Sequence, residues 1–272
     1  PISLLRILTM GASLLTILRP RVAAAPPAWA PTDVAGLQLW LDADDTSVLF
    51  QNSGGTGAVS ASSDPVGYAG DKSGNGRHFT KATSGERPTW QADGLATGHD
   101  SLLFDDSDDN LTSSAYSIAG AQTWALTFRL PSTLSSSEID CILDLSNGSR
   151  SAPLLLANFG GYTSICWRFD FTGTLAAVGI SPTLDTAVHS LLIVYNGSGS
   201  GTPGNYTVYL DGASQSPSST GVFVATTATE LGRLSSGSFP AGLHLGKIMI
   251  WSSALSGSDL TDLQTYLASA IA

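Results

Sequence analysis

Apolar and polar residues alternate along most of this chain. In the stretch 36–45, Leu37, Leu39 and Leu41 alternate with Gln38, Trp40 and Asp42, so a strand here turns leucines to a core and a mixed face outward. The same reading predicts strands at 101–105, 122–130, 139–145, 153–159, 164–171, 187–196, 205–211, 230–234 and 243–251. Gly, Ser, Asn, Asp and Pro separate these runs, and many short strands with turn signals between them predict an all-β fold of two stacked antiparallel sheets. The Gly- and Ser-rich stretch 51–70 reads as a surface loop.

The two ends depart from that period. At the C-terminus, residues 256–270 switch to helical spacing: Leu260, Leu263 and Leu267 form one apolar face with Tyr266 beside it, and Ser256 and Asp259 stand where a capping box would. Such a helix packs across the sandwich. At the N-terminus, residues 1–21 predict an apolar helix on which Leu4, Leu8, Leu14, Leu15 and Leu18 leave only a narrow polar stripe. The uninterrupted stretch between Arg6 and Arg19 is shorter than the roughly 18 apolar residues of a membrane span. Two readings remain: an anchor that docks on another protein or on copies of itself, or an export signal with Arg6 before the apolar run and Ala23, Ala24 and Ala25 as its cleavage region. Residues 22–31, rich in proline and alanine, form a linker, and residues 32–272 form the sandwich with its C-terminal helix.

Three segments, in order, resemble a known pattern. After the Leu37 strand come Asp71-Lys72-Ser73-Gly74-Asn75-Gly76 with Arg87-Pro88-Thr89-Trp90, and then the acid-rich stretch from Leu103 to Leu111. Tyr206, Tyr209, Asp211 and Gly212 fit a Y-x-x-Y-x-D-G strand, and an I-x-I-W strand (Ile248, Ile250, Trp251) precedes the last helix. This ordered set resembles the concanavalin A-like, or laminin G-like, jelly-roll domains of phage virion proteins and bacterial surface proteins. The resemblance implies a structural or decoration component of a virion, a phage head or tail appendage. Such a protein would display a lectin-like, glycan-binding sandwich on the virion surface, with other virion proteins or copies of itself as partners. The alternatives are a secreted bacterial lectin-like module and, third, a glycoside hydrolase.

Charge narrows the partners. With 22 acidic against 12 basic residues the net charge is −10, which lacks the basic footprint that nucleic acid requires. The acids concentrate at Asp105, Asp106, Asp108 and Asp109, with Asp71 and Asn75. The resemblance implies Ca²⁺ near a rim of this kind, and a hard cation would relieve the repulsion. The competing reading is a polar turn whose side chains cap backbone groups. EF-hand spacing is absent.

For glycan, the sequence offers aromatic rings on whose faces sugars stack. Trp124 and Trp167 lie in apolar strand runs and read as core, which leaves Tyr162, Trp90 and Tyr116 as ligand candidates. Catalysis is not expected. Glucanases of the resembled fold carry Glu-x-Asp-x-(x)-Glu on one strand, and here Glu138, Asp140 and Asp144 share parity, but six residues at about 3.3 Å each put the outer pair near 20 Å apart, against about 5 Å for a retaining pair. Cys141 and Cys166 read as buried thiols, with pairing across adjacent strands as the alternative.

Overall fold

The computed structural model describes residues 29–114, 118, 120–135, 138–146, 151–159, 162–167, 177–199, 201–220, 229–234 and 237–271. Nineteen strands are described. The first eight are β1 (Leu37–Asp42), β2 (Leu49–Asn52), β3 (Thr56–Ala58), β4 (Tyr68–Ala69), β5 (Phe79–Thr80), β6 (Thr89–Ala96), β7 (His99–Leu103) and β8 (Leu111–Ser113). Then come β9 (Gln122–Arg129), β10 (Ile139–Ser146), β11 (Ser151–Phe159), β12 (Tyr162–Trp167), β13 (Ala177–Ile180) and β14 (Val188–Tyr195). The last are β15 (Tyr206–Leu210), β16 (Ala213–Gln215), β17 (Ser218–Thr220), β18 (Thr229–Leu231) and β19 (His244–Trp251), followed by one helix, α1 (Gly257–Ser269).

The strands form two antiparallel sheets. The first runs β16-β15-β14-β9-β19-β7-β6, with β1 paired to β19, and the second runs β17-β13-β12-β11-β10-β18-β8-β5-β4-β2-β3. Leu39, Leu41, Trp124, Leu126, Phe128, Leu191, Ile193, Ile248 and Ile250 from the first sheet meet Leu49, Phe79, Leu111, Leu143, Leu154, Ile165, Trp167 and Leu231 from the second in one buried cluster. The alternation in β9 explains its side of that cluster: Trp124, Leu126 and Phe128 point in, while Thr123, Ala125 and Thr127 point to the opposite face.

The first sheet is covered on its outer face as well. Leu263 and Leu267 of α1 pack with Leu255, Ala125, Leu192, Val194, Met249 and Trp251 in a second cluster, with Leu260 and Tyr266 at its margin. The helix therefore lies across the sandwich as its apolar spacing predicts. Its start differs from the expectation: Ser256 is the N-cap residue, but its side chain makes no capping hydrogen bond. No helix among the described residues is long and apolar enough to cross a membrane. The segment 1–28, with the anchor residues Leu4, Leu8, Leu14, Leu15 and Leu18, lies outside the described residues.

Two bulges move side chains between faces. In β1 the register shifts between Leu37 and Leu39, so Leu37 joins the helix-side cluster while Leu39 and Leu41 enter the inter-sheet core. In β19 the shift falls between Leu245 and Lys247, which leaves Leu245 and Ile248 both in the core and turns Lys247 to the outer face.

Candidate functional site

The second sheet presents an outward row of side chains in strict cross-strand register. Phe50 lies opposite Tyr68, Tyr68 opposite Thr80, Thr80 opposite Thr112, Thr112 opposite Glu230, and Glu230 opposite Asp144. Directly opposed residues share a face. Leu49, Ala69, Phe79, Leu111 and Leu231, their neighbours in sequence, all enter the core, so by alternation this row points away from it. Five strand spacings give it a length of about 24 Å.

Its two ends differ in chemistry. At the open end, Phe50, Tyr68 and His78 are half-buried rings in sequence contact: Phe50 and Tyr68 lie 5.7 Å apart edge-on, and Tyr68 and His78 5.1 Å apart. Thr80 is half-buried and Thr112 exposed, so hydroxyls follow the rings. At the closed end, Glu230 is buried and accepts from Asn110 Nδ2 at 2.6 Å and Arg233 Nε at 2.9 Å. Burial pushes the Glu230 carboxyl up, and its bond to Arg233 only partly offsets this. Lys81 joins the same network, donating to Asn110 Oδ1 at 2.6 Å and pairing with Glu86.

The open end is held by backbone approach rather than by long strands. Arg87 donates to three carbonyls, Lys81 O from Nε, Gln51 O from Nη1 and Ala82 O from Nη2, at 2.9, 2.9 and 2.6 Å. Gly67 sits where a Cβ would fall 2.5 Å from Gln51 O, so a side chain there would force β2 and β4 apart. These residues were missed in the sequence. Tyr68 lies in a two-residue strand inside the stretch that reads as a loop, and two residues carry no period; its only signal is an aromatic between two glycines.

The other ligand candidates stand elsewhere. Trp90 is 7 % exposed and donates from Nε1 to Ala43 O at 3.1 Å, so it is a core residue with its polar atom satisfied and no stacking platform. Tyr162 begins β12 opposite Phe159, and its side chain lies outside the described residues, as does Tyr116 altogether. Trp124 and Trp167 are buried at 2 % and 1 % exposure, as their strand runs imply.

The acidic residues do not form one centre. Asp71 accepts from Trp40 N and Ser73 N at Oδ1 and from Ser73 Oγ and Arg77 N at Oδ2, between 2.8 and 3.0 Å. Asn75 Nδ2 donates to Leu37 O and Gln38 O. The turn is thus bolted to β1, with Asp71 spent on capping, which corrects the inclusion of Asp71 and Asn75 among cation ligands. The other four divide: Asp105, Asp108 and Asp109 form one group, and Asp106 joins Glu138 and Asp140 in another, each with its ligand atoms within 4.8 Å. Asp105 Oδ1 already accepts from Ser107 N and Asp108 N. Burial first, and then the Asp105 charge, push Asp109 to about 7.

The shared parity of Glu138, Asp140 and Asp144 fails for a structural reason. The register of β10 shifts between Cys141 and Leu143, so Ile142 and Leu143 both face the core and Asp144 joins Glu230 on the outer row. Asp140 stays with Glu138 and Asp106. The three acids lie in two separate places.

No protein-family model and no curated protein matches the chain. Solved structures do. The binding domain of botulinum neurotoxin DC in complex with rat synaptotagmin II is 12% identical with a TM-score of 0.53 over 88% of this chain and 52% of that one. Botulinum neurotoxin type C gives 13% identity and 0.53 over 87% and 52%, and the receptor-binding domain of type G gives 10% and 0.52 over 86% and 51%. The chain spans about half the length of these neighbours. At such identity the likeness establishes the fold alone, a two-sheet β sandwich.

Proposed function

We propose that this chain is a lectin-like module that binds carbohydrate along the outward row of its second sheet, by recognition rather than catalysis. The observation that carries the reading is the register-aligned run from half-buried rings (Phe50, Tyr68) through threonine hydroxyls (Thr80, Thr112) to a hydrogen-bonded carboxylate (Glu230). A sugar has an apolar face and a polar rim, and this row offers rings for the first and the hydroxyls of Thr80 and Thr112 for the second, with the buried Glu230 network closing its end. The accessible part of the row, Phe50 to Thr112, spans three strand spacings, about 14 Å, and suits a short oligosaccharide. The fold likeness to botulinum neurotoxin type C, a protein that depends on two ganglioside molecules for getting into cells, supports a glycan ligand.

The module is carried, in this proposal, as a structural or decoration component of a virion, a phage head or tail appendage, with its apolar N-terminal segment covered by another virion protein or by copies of itself. The motif order from the Leu37 strand to the last helix supports that placement.

The test is a glycan array followed by titration calorimetry on the hits. Tyr68→Ala is expected to weaken binding about tenfold, in line with one lost stacking contact of about 1.4 kcal/mol, and Trp90→Phe to leave affinity unchanged once folding is confirmed. Binding that survives Tyr68→Ala and Phe50→Ala together would move the site elsewhere. Antibody raised against the sandwich should label intact particles.

A further inference from the structure

The group Asp106, Glu138 and Asp140 runs from solvent to interior: Asp106 is exposed, Glu138 half-buried and Asp140 fully buried at 0 % exposure. The ligand atoms of all three lie within 4.8 Å of one another. Each is positioned by a different part of the chain. Asp140 is in β10 at its inner-facing parity; Glu138 is fixed by Ser135, whose N–H and Oγ–H both donate to Oε2. Asp106 donates from its backbone N–H to Ala241 O at 3.0 Å.

Asp140 is the unusual member. Neither of its carboxylate oxygens makes a hydrogen bond of normal geometry, although both are sealed from water. The Gly242 N–H that points its way is the least of the influences on it, and the charges acting on it are those of Glu138 and Asp106, which repel. A buried carboxylate without donors costs several kcal/mol unless a positive partner meets it. The paired strand carries a second orphan: Asn158, whose N–H donates to Glu138 O, spends its Nδ2 on Leu134 O and leaves Oδ1 buried without a partner. Space is also made for this arrangement, because a Cβ on Gly242 would fall 2.9 Å from Asp106 Cβ.

Two buried, unpaired oxygens of Asp140 that converge with the carboxylates of Glu138 and Asp106 are the environment of a hard cation. We infer that Asp106, Glu138 and Asp140 bind a divalent cation of the Ca²⁺ class, which reaches Asp140 from the exposed Asp106 side. Three carboxylates suit the six to eight oxygen ligands of Ca²⁺ once waters complete the shell, better than the rigid octahedron of Mg²⁺. The other acidic group carries no such inference, since its members turn to backbone N–H groups or to solvent. The proposal does not depend on the glycan reading, and its failure would leave that reading untouched.

The experiment is calorimetric titration of the chelator-stripped full chain with CaCl₂, alongside thermal melts with CaCl₂, MgCl₂ or EDTA. At a hundredfold excess over Kd, Ca²⁺ should raise Tm by about 5 °C or more, and Mg²⁺ by less. Asp106→Asn and Glu138→Gln should each abolish the shift, while Asp108→Asn should keep it. Asp140→Asn should lose the Ca²⁺ response yet melt no lower than the metal-free wild type; should it fail to fold, the exposed Asp106 variant decides. No heat and no shift at millimolar Ca²⁺, or a shift lost in Asp108→Asn and kept in Asp106→Asn, would overturn the site.

Discussion

Lys247 Nζ lies 2.5 Å from Asp42 Oδ1 and 2.5 Å from Asp44 Oδ2, although Lys247 and Asp42 are more than two hundred residues apart and both are buried. The β19 bulge turns Lys247 to the outer face, and the β1–β19 pairing sets Asp42 opposite it. Lys72 meets the same Asp42 at 3.2 Å and Asp45 at 2.8 Å, and His99 Nδ1 meets Asp44 at 3.0 Å. One network therefore ties the first strand, the last strand and the turn at Lys72.

Removing its buried cation takes the shared partner from two carboxylates and leaves Asp42 with Lys72 and Asp44 with His99. Lys247→Met is expected to cost about 3 to 5 kcal/mol, and Lys72→Met, at a more exposed position, about 1 kcal/mol or less. Equilibrium denaturation in guanidinium distinguishes them by midpoint. Equal midpoints would mean that the surface pair carries as much as the buried one.

The two buried histidines should respond to pH with opposite sign. Burial, and then the Arg129 charge, hold His244 down to about 4 from an ordinary 6.5, while its ring bonds Ser101 Oγ at 2.9 Å. The folded chain binds this proton more weakly than the unfolded chain, so the stability His244 supplies is complete above pH 6.5 and declines as pH falls toward about 4. For His189 burial is again the largest influence and lowers the pKa, but the 2.8 Å bond to Asp211, the Asp211 charge and Asp185 together outweigh it and the pKa is raised. Its contribution is complete below the ordinary value and is lost as pH rises through the raised one. Melting curves against pH for wild type, His244→Asn and His189→Asn isolate each residue from the buried acids that titrate in the same window. The two difference curves should slope in opposite directions.

Long strands were legible in the sequence, and short ones were not. β9, β10, β14 and β19 each have eight residues, long enough for their apolar runs to locate them within a residue or so. β4 and β5 have two residues each, fewer than one period, and they owe their existence to close backbone approach and to Arg87. The candidate row lies on those short strands, which is why Tyr68 and Phe50 escaped a reading based on pattern. The bulges escaped for a related reason. Parity assigns Asp140 and Asp144 to one face, and a single extra residue in β10 moves Asp144 to the other. The turn at Asp71 could be read from its Asp, Ser, Gly and Asn residues, but its target on β1 depends on the folded chain.

The two cysteines should stay reduced. Cys141 lies opposite Leu155, and Leu155 lies opposite Cys166, so one whole strand separates the thiols. Two strand spacings put them about 9.5 Å apart, beyond the roughly 7 Å between Cα atoms that a disulfide spans. Both are buried against Leu234, and burial, followed by the Asp144 charge, pushes the Cys141 thiol well up. A thiol reagent should find neither cysteine in the native protein and both in denaturant. A native-state mass lower by two protons after oxidation would contradict the register.

Arg87 gives the sharpest link between stability and the candidate site. Its guanidinium donates to Gln51 O, Lys81 O and Ala82 O, three acceptors on segments whose own strands are two to four residues long. A lysine cannot reproduce the planar fork that reaches all three. Arg87→Lys should therefore cost about 2 kcal/mol, one or two charge-assisted bonds. The distinguishing measurement is hydrogen exchange: amides of 49–52, 67–70 and 79–82 should exchange faster while those of β9 and β19 keep their protection. Glycan affinity should fall with that local opening even though Arg87 touches no ligand, because Phe50 and Tyr68 stack only while β2 and β4 are held together. Faster exchange across both sheets would instead make Arg87 a determinant of global stability.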